Sequence, residues 1–238
     1  MVDPDSEWGH ICNPDVVPFE SITDVPCLVL LGEPGIGKTV AMRGEYEAIK
    51  VKAQDQGDDT SWLDLRSFGS EDRLVRNLFE STTFIRWIEG EHRLHLFLDS
   101  LDECLLRIDT VATLLADELK KYPVERLYLR IACRTADWPN VLERALRELW
   151  GEEAVQVFEL APLRRVDVRE AAKANGLDPD AFTNEVECKE VVPLAIKPVT
   201  LRFLLNLYQK HGSFPHTQAG LYFHGCWLLC EEISESRI

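Results

Sequence analysis

The hydrophobic pattern of the chain changes character near residue 163. Before that point, continuous apolar runs alternate with amphipathic stretches, as in parallel sheets covered by helices. We therefore predict a five-stranded parallel P-loop NTPase sheet of the ASCE type with helices on both faces. The predicted strands are 27–32, 61–68, 93–99, 126–134 and 154–160, and the predicted helices between them are 38–52, 71–89 and 109–121.

After residue 163 only helical patterns follow. These patterns predict a small all-α domain, so we divide the chain into an α/β core at 1–163 and a helical domain at 164–238. The last predicted helix has no capping residue before Ile238, and we expect the natural protein to continue. The helices predicted in this domain are 166–175, 179–189, 199–210 and 217–232.

Composition narrows the class of protein without naming a function. Hydrophobic residues make up 45% and charged residues 28%, which are ordinary values for a folded domain. A net charge of −15 argues against a broad nucleic-acid surface, which needs many lysines and arginines. The acidic start lacks the features of a signal peptide, and the apolar run 25–31 is too short to cross a bilayer. We therefore expect a cytoplasmic protein with no membrane partner.

Seven scattered cysteines without repeated C-x-x-C spacing indicate reduced thiols. The one cluster to weigh is His224, Cys226 and Cys230 on the last predicted helix. Structural zinc needs four ligands, and the sequence offers no fourth nearby. Buried helix cysteines are therefore the favoured interpretation.

The segment LGEPGIGKT at 31–39 fits the pattern G-x-x-x-x-G-K-[ST] between a predicted strand and a predicted helix. Glycines let the backbone wrap a phosphate chain, and amides at a helix N-terminus face the anion. Lys38 is expected to reach the β- and γ-phosphates and the Thr39 hydroxyl to ligate Mg²⁺. The predicted nucleotide-binding residues here are Gly32, Glu33, Pro34, Gly35, Ile36, Gly37, Lys38, Thr39 and Val40.

The segment LHLFLDSLDE at 94–103 supplies acids at the end of a buried strand. Asp99 is the predicted magnesium ligand, acting with Thr39. Asp102 and Glu103 follow, and either could polarise an attacking water. The alternative is that these two acids only begin a loop or cap a helix.

Asp99-Ser100-Leu101-Asp102-Glu103 resembles the extended Walker B motif of NACHT NTPases, in the STAND class of signalling P-loop ATPases. The tiny residue after the magnesium aspartate is the distinguishing mark. The segment IACRTADWP at 131–139 is similar to the sensor strand of bacterial NACHT domains, which implies that Arg134 approaches the γ-phosphate.

The segment KPVTL at 197–201 is similar to the proline-bearing motif of the NACHT helical domain, which implies that Pro198 packs near the base or ribose. The resemblance spans roughly 25–208. Each of these two residues also has a simpler interpretation. Arg134 could be a solvated arginine at the end of a strand, and Pro198 could simply begin a helix.

The resemblance implies a signalling switch, in which ADP or ATP sets the angle between the two domains and activation drives self-association. Many bacterial NACHT proteins serve in antiphage defence, so the resemblance implies that role as one context. Full STAND proteins also carry a winged-helix domain and sensor repeats, neither of which is seen in this chain. The unknown trigger is expected to be sensed by such repeats. The pair Arg164 and Arg165 at the domain junction could sense nucleotide, although a solvated hinge pair is favoured.

Three alternatives stay open. A mechanical AAA+ ring ATPase would need an arginine finger, and Arg144 and Arg147 lie in the expected region. A nucleotide-binding scaffold with little hydrolysis would lack one of the acids that hydrolysis needs, yet Asp99, Asp102 and Glu103 are all present. A kinase is the weakest alternative, because there is no arginine-rich insertion. The expected cofactors are ATP/ADP and Mg²⁺, since the Asn/Thr-Lys-x-Asp guanine motif is absent.

Overall fold

The computed structural model describes residues 16–215 together with 220, 221 and 223. Most of the helix predicted at 217–232, and the cluster His224, Cys226 and Cys230, lie outside the described residues. Contacts divide the described chain into two compact units. The sheet unit contains 17–34 and 38–160, and the helical unit contains the described residues from 161 onward together with 35–37.

The sheet unit is built on five parallel strands in the order β2-β3-β4-β1-β5. Strand β4 lies between β1, which leads into the glycine-rich loop, and β3, which ends at Asp99. The predicted α/β fold with a five-stranded parallel sheet is therefore confirmed. The strands are β1 Cys27–Leu31, β2 Asp59–Asp64, β3 Leu94–Asp99, β4 Leu127–Ala132 and β5 Val155–Glu159.

One face of the sheet carries the larger apolar core. Alternate residues of each strand point to this face, as the period of a strand requires. They pack with Trp87, Phe84 and other fully buried side chains of four helices. These helices are α2 Glu71–Leu78, α3 Thr82–Glu89, α4 Ile108–Leu119 and α5 Asn140–Trp150.

The opposite face is covered, within the described sheet unit, by the long helix α1 Lys38–Gln56 and the short 3₁₀ turn Phe19–Ile22. Its core is small. Met42 of α1 is buried with Phe97 of β3, and Tyr46 meets Phe97 edge-on with ring centroids 5.4 Å apart. Helices therefore lie on both faces, as predicted, but the two layers differ in size.

Two predicted elements have different bounds in the structure. The helix predicted at 71–89 is interrupted between α2 and α3, because the Ser81 hydroxyl accepts a hydrogen bond from the Phe84 N–H at 3.2 Å and so begins a new helix. The strand predicted at 61–68 ends at Asp64. There the Asp64 carboxylate accepts a hydrogen bond from the Arg66 N–H at 3.1 Å, and a 3₁₀ turn follows at Leu65–Ser67.

The helical unit contains four helices in the described part of the chain. Its core has an aromatic centre in which Phe182 meets Tyr208 and Phe214 edge-on, with centroids 5.3 and 5.9 Å apart. Among the described residues, no helix is both long and apolar enough to span a membrane. The helices are α6 Arg165–Ala174, α7 Pro179–Cys188, α8 Val192–Ala195 and α9 Pro198–His211.

Candidate functional site

The loop between β1 and α1 has the backbone that its glycines allow. Gly35 and Gly37 have φ values of +75° and +105°, a region that residues with a Cβ rarely adopt. Lys38 is the first residue of α1, and its ammonium donates hydrogen bonds to the carbonyl oxygens of Gly32 at 2.7 Å and Glu33 at 3.2 Å. The loop thus places a cation beside the first amides of a 19-residue helix, which favours an anion at that position.

Asp99 lies at the carboxyl end of β3, where it meets the start of α1. Its carboxylate accepts a hydrogen bond from the Thr39 hydroxyl at 3.2 Å, and only 2% of the residue is exposed. Burial raises the pKa of Asp99. A nearby cation would favour the charged carboxylate over the neutral acid.

The donor set at this position suits Mg²⁺. A hydroxyl and one carboxylate are the ligands that this ion takes when phosphate and water complete its shell. Among the described residues, no cluster of three or more His, Cys, Asp or Glu side chains could hold a metal by itself. Thr39 and Asp99 would therefore hold Mg²⁺ together with a nucleotide.

A tight turn separates Asp99 from the next two acids. Ser100 has φ +60° and ψ +49°, which is the left-handed conformation, and its carbonyl accepts a hydrogen bond from the Glu103 N–H at 3.1 Å. Leu101 is fully buried and fixes the 3₁₀ turn Leu101–Glu103 against the core. This geometry directs two acids to the same edge of the sheet as Asp99.

The two acids have different surroundings. The Asp102 side chain is only 3% exposed, and one of its oxygens accepts a hydrogen bond from the Arg134 N–H at 3.0 Å. Its other oxygen lies 2.8 Å from Arg134 Nε, an ion-pair distance without hydrogen-bond alignment. The Glu103 side chain is 44% exposed and lies 3.6 Å from Arg134 Nη2. Asp102 therefore holds the arginine, and Glu103 is the accessible carboxylate.

The structure adds a pair of residues that the sequence analysis did not single out. Asp64 ends β2 and lies in register with Asp99 on the neighbouring strand. Arg66 holds the Asp64 carboxylate through two nitrogens, with Nε–Oδ1 at 2.9 Å and Nη2–Oδ2 at 2.6 Å. Hydrogen bonding to Arg66 keeps the pKa of Asp64 low. The sequence contained a clue to Asp64, because the carboxyl ends of parallel strands meet at one edge of the sheet and β2 ends in this acid.

Three other residues named from the sequence, Pro198, Arg164 and Arg165, belong to the helical unit. Pro198 is the first residue of α9, a position that proline favours. Gly35 belongs to the same unit and packs closely against Val199, the residue after Pro198. A Cβ added at Gly35 would lie 2.5 Å from Val199 Cγ1, so a larger residue would clash there. Arg164 pairs with Asp167, and Arg165 with Glu187, as exposed ion pairs on that unit.

The two arginines considered as a finger lie on α5. Arg147 donates to Glu143 at 2.9 Å and also reaches the Glu152 carboxylate at 3.1 Å. Arg144 is exposed, and its Nε lies 3.4 Å from the carbonyl oxygen of Asn140. Arg147 is therefore engaged in a local ion-pair network, and Arg144 is the more accessible of the two.

No protein-family model and no curated protein matches the chain. Solved structures do match. The Aeropyrum pernix ORC1 protein in complex with DNA aligns with a TM-score of 0.56 at 15% identity, over 94% of this chain and 69% of that one. The A. pernix ORC2 protein, solved as ADPNP-ADP complexes, aligns with a TM-score of 0.53 at 10% identity, over 91% of this chain and 70% of that one.

The S. cerevisiae Hsp104-ADP complex aligns with a TM-score of 0.51 at 19% identity, over 87% of this chain and 32% of that one. At such low identity these similarities show the fold alone. That fold is the one shared by AAA+ and other P-loop NTPases, as expected from the strand order and the glycine-rich loop.

Proposed function

We propose that this chain is the ATP-binding and ATP-hydrolysing part of a signalling switch of the NACHT type, in the STAND class. The observation that carries the proposal is the convergence of Thr39, Asp99 and the Asp102–Arg134–Glu103 group at the carboxyl edge of one sheet. The adenine nucleotides in the ORC2 and Hsp104 structures support ATP and ADP as the ligands.

The residues of the chain have separate roles in this proposal. Lys38 and the amides at the start of α1 bind the phosphates, and Thr39 and Asp99 hold Mg²⁺. The bound Mg²⁺ supplies charge neutralisation for the transferred phosphoryl group. Pro198 packs near the base or ribose, as the resemblance implies.

The unequal exposure of the two acids supports a proposed division of roles between them. Glu103 is the accessible carboxylate, so it orients and polarises the attacking water. Asp102 is buried against Arg134 and positions that side chain. Arg134 then presents its guanidinium to the γ-phosphate, where it stabilises charge that develops during transfer.

The switch part of the proposal rests on the resemblance and on the two compact units, each with its own core. Nucleotide state would set the arrangement of the units, and the active state would self-associate. An unidentified trigger would act through regions beyond this chain, and antiphage defence is the proposed context in the cytoplasm. Identical small-angle scattering profiles and masses with ADP, ATP and no nucleotide would contradict the switch.

A ring ATPase is the competing function. It predicts a constant ring mass in every nucleotide state and an arginine that reaches a neighbouring copy. Arg147 is committed to Glu143 and Glu152, so Arg144 is the one to test. If the protein keeps one ring mass in every nucleotide state and Arg144→Ala abolishes hydrolysis in that ring, a ring ATPase replaces the switch.

The direct test of the site is Lys38→Ala, measured as affinity for a fluorescent ATP analogue. Hydrogen bonds between charged groups contribute roughly 1.5–3 kcal/mol, so affinity is expected to fall about 10- to 150-fold. The matched control is Lys50→Ala on the same helix, whose ammonium lies over the Tyr46 ring. Equal affinity of the Lys38 variant and the parent protein would overturn the phosphate-site assignment.

A further inference from the structure

Asp64 lies next to the proposed magnesium ligands, at the end of the neighbouring strand. Strands β2 and β3 pair in register, so Asp64 is directly beside Asp99. Neighbouring strands are about 5 Å apart, and residues in register on two parallel strands point to the same face of the sheet. Burial raises the pKa of Asp99, and the Asp64 carboxylate adds to that rise, which agrees with a short separation of the two acids.

The face to which these acids point is marked by two aromatic rings. Trp62 and Phe97 precede the two acids by two residues each, and they stack with ring centroids 5.8 Å apart in the core beneath α1. Side chains two residues apart on a strand point to the same face, so Asp64 points to the α1 face. Asp99 accepts its hydrogen bond from Thr39 of α1 on that face. All of these residues belong to the sheet unit.

Arg66 holds the Asp64 carboxylate in one orientation and leaves it room for one more donor. The backbone N–H, Nε and Nη2 of Arg66 make every hydrogen bond that the described residues donate to this carboxylate. A carboxylate has about four acceptor positions, so one stays open. The Asp64 side chain is 38% exposed, and hydrogen bonding to Arg66 lowers its pKa. Asp64 is therefore a charged, oriented and accessible acceptor.

The chemistry of Mg²⁺ indicates which donor this acceptor meets. Protein-bound Mg²⁺ usually keeps several waters beside one or two protein ligands and the phosphates, and groups around the ligands orient them. Thr39 and Asp99 are the two direct ligands in the proposed function, on which this inference rests. We propose that Asp64, held by Arg66, accepts a hydrogen bond from a water of the Mg²⁺ shell and so positions the Mg·nucleotide complex.

The alternative role for Asp64 and Arg66 is that of an ordinary surface ion pair. Such pairs contribute little to stability and would have no connection with Mg²⁺. The two roles differ in one measurable quantity, which is the factor by which Mg²⁺ strengthens the binding of ADP. We call this factor the magnesium effect. It is measured by calorimetric titration of the full chain with ADP, once in saturating Mg²⁺ and once in EDTA.

The first variant is Asp64→Asn, which keeps the shape of the side chain and removes its charge. The magnesium effect should fall about tenfold, as expected for the loss of a hydrogen bond to a charged group. Affinity for ADP in EDTA should be unchanged or tighter, because a negative charge near the phosphates is removed. That second measurement also shows that the variant is folded. An unchanged magnesium effect would overturn the proposal.

Two further variants separate this inference from the proposed function. Asp99→Asn should remove most of the magnesium effect, and Asp117→Asn, an exposed acid paired with Lys120 near the end of α4, should leave it unchanged. If the parent protein shows no magnesium effect, the proposed Mg²⁺ site fails and this inference fails with it. If Asp99→Asn loses the effect while Asp64→Asn keeps it, only the role of Asp64 is overturned.

Salt separates a hydrogen bond from attraction between distant charges. At about 1 M KCl the Debye length is about 3 Å, so attraction between an exposed carboxylate and a more distant ion is screened. The loss caused by Asp64→Asn should persist under this condition. A loss that disappears at high salt would overturn the contact with a water of the Mg²⁺ shell.

A double variant tests whether Arg66 acts through Asp64. Arg66→Lys keeps the positive charge but cannot hold both carboxylate oxygens at once. It should reduce the magnesium effect less than Asp64→Asn does, and it should add no loss in the double variant Asp64→Asn/Arg66→Lys. An equal loss from Arg66→Lys in both backgrounds would show that Arg66 acts on the nucleotide directly, and its positioning role would be wrong.

Discussion

Two groups of paired charges, one at each edge of the sheet, differ in their exposure. At the carboxyl edge, Arg134 and Glu103 are 40% and 44% exposed and lie on turns that follow the strands. Towards the amino edge, Glu45 of α1 and Arg130 of β4 are each 1% exposed and meet between the helix and the sheet. The first arrangement leaves groups ready to meet a ligand in water, and the second ties them into the packing of the fold.

The pKa values of Asp64, Glu45 and His95 show the same difference. Asp59, the first residue of β2, does not follow it: burial acts to raise its pKa, but hydrogen bonds from Arg86 and His92 outweigh that effect and the pKa is lowered. Hydrogen bonding to Arg66 lowers the pKa of Asp64 at the carboxyl edge, which keeps that acid charged. Burial raises the pKa of Glu45 and lowers that of His95 at the amino edge, so both shift towards the neutral form. Asp99 follows the amino-edge pattern although it lies at the carboxyl edge. A bound cation would favour its charged form, which agrees with its proposed role.

The largest effect should come from the accessible acid of the carboxyl edge. We expect Glu103→Gln to lower single-turnover ATP hydrolysis by roughly 10²- to 10⁴-fold, the usual contribution of a general base, with nucleotide affinity little changed. The measurement is rapid-quench hydrolysis with enzyme in excess, beside fluorescent ATP binding. Both are needed, because a folding defect would lower the two together.

Asp102→Asn is the matched variant, since it also removes one carboxylate charge. It keeps an oxygen to accept from the Arg134 N–H but loses the ion pair with the guanidinium. Hydrolysis should fall less than in the Glu103 variant. Full activity of Glu103→Gln together with an inactive Asp102→Asn would reverse the two roles.

The next effect concerns stability at the amino edge. Arg130→Met leaves Glu45 buried without its partner, and such a loss costs about 3–5 kcal/mol of unfolding free energy. The comparison is Arg134→Met at the other edge, where the buried Asp102 carboxylate keeps its hydrogen bond from the backbone N–H of residue 134, so a smaller loss of roughly 1–3 kcal/mol is expected. Urea unfolding of both variants measures the difference.

A double variant separates lost charge from lost packing. In Glu45→Met/Arg130→Met no buried charge is left alone, so much of the stability should return. If the double variant is as unstable as Arg130→Met, the effect comes from packing around the long arginine side chain. Equal losses in the Arg130 and Arg134 variants would remove the contrast between the two edges.

These two edges also differ in how far the sequence predicted them. The glycine pattern before Lys38 and the acids after β3 are close in sequence, so the order of strand, loop and helix was enough to identify them. Asp64 was missed because β2 was predicted to continue to residue 68, which placed Asp64 inside a strand. Only the pairing of β2 with β3 brings it beside Asp99.

The buried ion pair between Glu45 and Arg130 was not predicted from the sequence. Glu45 and Arg130 are 85 residues apart, and each looks like an ordinary surface charge in its own segment. His95 lies in an alternating strand pattern that fits a half-buried position as well as a site. Long-range packing decides which charged residues are buried, and hydrophobic periodicity within one segment carries little information about it.

A smaller effect tests the backbone of the carboxyl edge. Ser100 has a left-handed conformation, so Ser100→Val should destabilise the fold by about 1–3 kcal/mol, whereas Ser100→Gly should be nearly neutral. Thermal unfolding of the two variants compares them. Equal stability of the valine and glycine variants would show that the turn can be rebuilt at little expense of free energy.

The smallest effect lies at two glycines that differ in backbone conformation, one inside α1 and one just after it. Gly44 and Gly57 both have open space where a Cβ would go, but Gly57 has φ +76° and Gly44 lies in the helix interior. Gly44→Ala should therefore raise the unfolding free energy by roughly 0.5–1 kcal/mol, and Gly57→Ala should lower it by about 1–2 kcal/mol. Urea unfolding measures both. A destabilised Gly44→Ala protein would mean that a contact within the fold requires this glycine.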